Sequence, residues 1–140
     1  MAFFPNAFST RQYEIAAIAD SATTLTAGTA VKITKIPTGI TSPDFYCQVA
    51  AASSKDDVSA VISSATPSIS NTAAGRIIIV NANFINVLMD SNAMKGDYIK
   101  VTTMDGKWGK CAAGETSDAQ LMEAAVAGSQ AWAKPIKYKL

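Results

Sequence analysis

The segment GDYIKVTTMDGKWGK, Gly96 to Lys110, alternates apolar and polar side chains over Tyr98–Thr102 and breaks at Asp105-Gly106 before Trp108. Strict alternation places every second side chain on one face of a pleated strand. Asp-Gly between such runs is the favoured type I′ pair, because both positions tolerate positive φ. The segment therefore predicts a β-hairpin, and a hairpin needs further strands to cover its apolar face.

Those strands are found upstream. Arg76–Val80, RIIIV, is a continuous β-branched run that predicts a strand buried on both faces, inside the fold or beneath another subunit. Phe84–Met89, FINVLM, follows after a turn at Asn81–Asn83. Thr29–Ile36 opposes Val31 and Ile33 to Lys32 and Thr34, as a half-buried strand does, with Gly28 before it and Pro37 and Gly39 after it. Asp44–Ala52 carries Phe45, Cys47 and Val49 at period two, and Val58–Ser63 adds a short apolar run beyond the polar connector SSKDD. Within that connector Ser54 is also a candidate cap for a brief helical turn. Ser63–Gly75 reads as a loop, and Gln12–Ala19 as a strand with a helix as the alternative.

Downstream, Ser117 as N-cap, Leu121, Met122 and Ala125, with Gly128 as a C′ residue, describe a short helix on local propensity. Trp132–Tyr138 reads as a closing strand, and Pro135 implies an edge position. Residues 1–10 form an extended N-terminal arm, because Pro5 and its neighbours disfavour a regular element. Residues 11–140 form a single β-rich domain. Phe3, Phe4 and Phe8 on a free arm would invite aggregation, so they should dock on this domain or on a neighbour.

The hydrophobic fraction is 49%, but much of it is alanine amid abundant serine and threonine. Small side chains bury little area, which favours close backbone approach or stabilisation by neighbouring subunits, so a homo-oligomer is expected. With 12 basic and 11 acidic residues the net charge is +1, so no summed field attracts nucleic acid. The start of the chain lacks a basic region followed by an apolar run, and no apolar stretch is long enough to span a bilayer. A soluble protein made in a cytoplasm, without a membrane partner, is the expectation. Cys47 and Cys111 lie far apart and outside any metal-site spacing, so buried free thiols are expected over a disulfide.

The titratable equipment of most enzymes is missing. Without histidine, the common serine and cysteine triads, imidazole bases and most catalytic zinc sites are unattainable. Gly106-Lys107-Trp108-Gly109-Lys110 lacks both the P-loop spacing and a following helix. Asp56, Asp57, Asp90, Asp97 and Asp105 sit in a connector or at strand ends, where solvated turn aspartates belong, and none has calcium-loop spacing. The expectation is no enzyme, no cofactor, no metal and no small-molecule substrate. Trp108 and Trp132 are read as core or interface anchors. Lys134, Lys137 and Lys139 either meet an acidic partner surface or guard an edge strand.

The order of several pieces adds to this. Ser21–Ile33, SATTLTAGTAVKI, then Ala73-Ala74-Gly75-Arg76 leading into a hydrophobic strand, then Lys95–Val101, then Gly106-Lys107-Trp108, and finally Glu123–Gly128 resemble the tailed-phage capsid decoration (cement, or head stabilisation) proteins. The resemblance implies a mainly β, barrel-like or sandwich domain and a strand, not a helix, near residues 117–127. It implies a structural virion protein on the outer capsid surface, commonly a trimer, bridging neighbouring major capsid protein subunits, without chemistry or cofactor. Gly28 would permit the turn into the second strand, and Gly96-Asp97 would open a strand after a tight turn. The arm with its three phenylalanines departs from the resemblance and is not matched to the family residue by residue. Candidate protein-interface residues are Phe3, Phe4, Phe8, Arg11, Trp132, Lys134 and Lys137. The alternative is a carbohydrate- or surface-binding β module of a tail fibre or adhesin, with Trp108, Trp132 and Tyr98 as a sugar platform.

Overall fold

The computed structural model describes residues 14–66 and 68–140. Among them the regular elements are all strands. In chain order these are β1 (Glu14–Ala19), β2 (Leu25–Thr26), β3 (Ala30–Lys35), β4 (Cys47–Ala51), β5 (Ala60–Ile62), β6 (Ser68–Ile69), β7 (Gly75–Ile79), β8 (Ile85–Leu88), β9 (Tyr98–Val101), β10 (Trp108–Lys110), β11 (Ala119–Leu121) and β12 (Gln130–Pro135). The mainly β reading holds.

The first half closes into a five-stranded barrel in the order β1-β4-β3-β5-β7, with β7 returning to β1. Only β1 and β4 run parallel; the other neighbours are antiparallel. So few strands enclose a narrow bore, and the residues filling it include Ala17, Ala19, Ala60, Val31, Val49, Ile62 and Ile77. The alanine-rich composition is thereby used within the chain, as the packing of a small barrel. β2 pairs with β6 beside it, and Leu25 and Ile69 close that flank.

The second half is a five-stranded sheet, order β10-β9-β11-β12-β8. Its inward face, with Ile85, Val87, Ile99, Val101, Leu121, Ala131 and Ala133 around the fully buried Trp108, packs on the outer wall of the barrel through Ala30 and Val61. β5 is therefore the strand buried on both faces: Ala60 and Ile62 point into the barrel and Val61 into the second core. In β7, where that property was expected, Ile77 is buried, Arg76 is exposed and Ile78 is half-buried.

Main-chain bonds knit the halves together. The Leu88 N–H donates to the Gly28 carbonyl at 3.0 Å, and the Ala30 N–H donates to the Gly106 carbonyl at 2.8 Å. A Cβ on Gly28 would stand 2.6 Å from the Leu88 nitrogen, and one on Gly106 would stand 2.4 Å from the Ala30 oxygen. Both glycines have positive φ, 85° and 83°. They are required twice over, for the turn and for the close approach.

Several expectations need correction. The hairpin is present, with Trp108 opposite Val101, but it turns through a longer loop than a type I′ pair. The Thr102 N–H bonds the Lys107 carbonyl, which leaves residues 103–106 as the connection. The Thr103 hydroxyl donates to Asp105 and accepts the Lys107 N–H, so side chains stabilise the wider loop. Residues 119–121 are a strand, not the helix that propensity favoured. Central pairing with β9 and β12 decides it, since weak propensity yields to tertiary context. β12 lies inside its sheet between β11 and β8, and Pro135 is tolerated because it is the strand's last residue. Ser63–Gly75 contains the two-residue β6, and Phe45 is exposed at a turn before β4.

Candidate protein-interaction surface

The surface features that could engage a partner begin at β8. Its register with β12 pairs Val87 with Ala131 and Ile85 with Ala133. In an antiparallel pair, backbone groups alternate between facing the partner strand and facing away. The Leu88 N–H faces away, toward Gly28. By the same alternation the Asn86 N–H and C=O also face away from β12. Among the described residues no backbone partner reaches them.

Asn86 opens into a groove of about 500 Å³ between the barrel and the second sheet. Val61, Ile62 and Ile78 supply the barrel wall, Phe84 and Trp132 the facing rim, and Glu14 one end. Phe84 is 51% exposed and Trp132 is 47% exposed. The Asn86 Oδ1 is buried there without a hydrogen-bond partner among the described residues. A buried amide oxygen without a donor is costly, which marks the groove as unfinished.

Beyond β3, Ile36, Ile40 and Phe45 are also exposed. The Phe45 and Tyr46 rings meet edge to face at 5.3 Å.

The carboxylates act as turn clamps. Asp56 accepts the Ser53 N–H at 2.8 Å and pairs with Lys32 at 3.2 Å. The Ser53 bond first, then Lys32, holds its carboxyl below the usual range. Glu115 accepts the Ala112 N–H and meets Lys100, with the same consequence in the same order of cause. Asp105 is lowered chiefly by the Thr103 hydroxyl, and Asp97 accepts the Met94 N–H. Among the described residues no group of three or more carboxylate or thiol side chains converges. Cys47 and Cys111 are buried free thiols, and burial raises the pKa of both.

Of the residues singled out from sequence, Trp132 lies in the groove and Lys134 is exposed two places further along the same face of β12. Lys137 is committed to Asp118, away from the groove. Lys139 bridges to Thr116, so the three lysines do not guard a common edge strand. Phe3, Phe4, Phe8 and Arg11 lie outside the described residues. The sugar platform loses a member: Trp108 is fully buried, while Tyr98 stacks on Tyr138 at 4.6 Å. Phe84 and Asn86 were missed as site residues. Phe84 had a usable signal, an aromatic directly after a predicted turn.

No protein-family model matches the chain, and no curated protein matches it. Among solved structures, the head fiber gp8.5 N base of bacteriophage phi29 is similar with a TM-score of 0.67 and 16% sequence identity. The match covers 91% of this chain and 96% of that chain, so the likeness takes in the barrel and the second sheet together and is one of fold.

Proposed function

We propose that this chain is a structural protein of a phage virion that binds the outside of an assembled head and stabilises it by bridging neighbouring major capsid protein subunits. The observation that carries the reading is the likeness in fold, over nearly the whole of both chains, to a protein of a phage head. The surface chemistry supports binding over catalysis: exposed Phe84, Trp132, Ile36, Ile40 and Phe45 offer apolar contact, and the aspartates with lowered pKa are engaged in turns. A trimer gripping several sites at once would gain avidity that one contact lacks. Added interface on the order of 1,000 Å² or more per contact would resist rupture of the shell.

The test uses purified full-length chain and heads assembled from the major capsid protein of the phage that encodes it. Expected are co-sedimentation, density on the outer head surface by electron microscopy, a higher temperature of head rupture, and a trimer mass in light scattering. Failure to co-sediment, with density on a tail fibre or a glycan-array signal lost in Trp132→Ala, would overturn the reading in favour of a sugar-binding module.

A further inference from the structure

We propose that in the free protein the groove between β8 and the barrel is filled by the chain's own N-terminal arm, residues 1–13, which adds as an extended segment to the exposed edge of β8. This stands independently of any role on a phage head.

Position is the first argument. Glu14, where β1 begins, lines the groove, so the arm leaves the fold at the groove's mouth. Extended chain from residue 8 to residue 13 reaches roughly 20 Å, enough to carry the Phe8 ring across the rim. The second argument is complementarity. The groove offers apolar surface at the half-buried Ile78 and an aromatic rim at Phe84 and Trp132. The arm carries Phe3, Phe4 and Phe8, with Arg11 as its only charged side chain. The third is hydrogen bonding. The outward N–H and C=O of Asn86 are the groups with which an added strand exchanges a pair of bonds, and the buried Asn86 Oδ1 needs a donor. The next outward position on that edge, Leu88, is already bonded to Gly28, so an arm at Asn86 would extend an existing line of bonds.

Tethering selects this copy's arm over another's. A short tether gives an effective concentration on the order of millimolar, which a second copy in dilute solution does not match.

A chain lacking residues 1–10 is compared with the full chain. The truncation is expected to red-shift tryptophan emission and raise acrylamide quenching, and both changes should vanish in a Trp132→Phe background. Added peptide of residues 1–12 should reverse them. Unchanged emission and quenching in the truncated protein would overturn the proposal. Should the truncation misfold, p-benzoylphenylalanine at position 8 of the full chain provides a second test. Irradiation of dilute monomer is expected to link position 8 to residues 78–86 or Trp132 within one chain. Links formed only between chains would assign the groove to a second copy, and links elsewhere or none would remove the arm from it; either result sinks the proposal.

Discussion

Gly96 and Gly106 are both held at positive φ, 92° and 83°, yet their surroundings differ. Nothing lies within 4 Å of a Cβ built on Gly96, whereas one on Gly106 would strike the Ala30 carbonyl. Gly96→Ala should therefore cost only the left-handed backbone penalty, about 1–2 kcal/mol. Gly106→Ala should add overlap with a backbone that cannot step aside, for a total of about 3 kcal/mol or more. Urea unfolding of the two variants checks this, and equal losses would show that Gly106 serves its turn alone. Acid provides a second measurement at this scale. The folded-state pKa values of Asp56 and Glu115 are depressed, so the stability they confer is whole above the ordinary carboxylate pKa and is lost as pH falls through the lowered one. Asp56→Asn with Glu115→Gln should flatten the acid limb of a stability-against-pH curve, read by thermal melts, by lowering stability at neutral pH while variant and parent converge in acid.

Among the elements, β10 depends most on one side chain. Trp108 is fully buried at the centre of the second core, so Trp108→Ala should cost about 3–5 kcal/mol in chemical denaturation. Removing this ring tests packing and says nothing about sugar binding. Strands β4 and β9 were legible in the sequence because each alternates and buries one face, and β3 was legible from Val31 and Ile33 opposed to Lys32 and Thr34, although its first residue, Ala30, packs in the second core. β11 was not, because Ala119, Gln120 and Leu121 carry no strand preference and are held by neighbours on both sides. The double burial of β5 was equally hidden. Ala60-Val61-Ile62 is shorter and blander than the isoleucine run of β7, and only barrel closure gives it two cores to serve. The interaction surface was half legible. Trp132 stood out as a large aromatic among small residues, whereas Asn86 gains its meaning from the position of β8 at the open end of its sheet.

For the molecule as a whole, the two cores meet across β5, and two glycine-mediated bonds fasten one half to the other. The halves should unfold together. Cys47 sits in the barrel core and Trp108 in the second, so thiol labelling of Cys47, in a Cys111→Ala background, and tryptophan emission should report the same midpoint in urea. Separate midpoints would mean that the junction is weaker than the bodies it joins.

The main-chain part of this joint is indifferent to the identity of the side chains on the outer faces. Provided that glycine stays where the two bodies touch, residues on either outer face can be exchanged wholesale without disturbing how the bodies sit. Lineages built on such a frame can diverge until their letters no longer align while the outline persists, leaving each free to redraw its exposed surface.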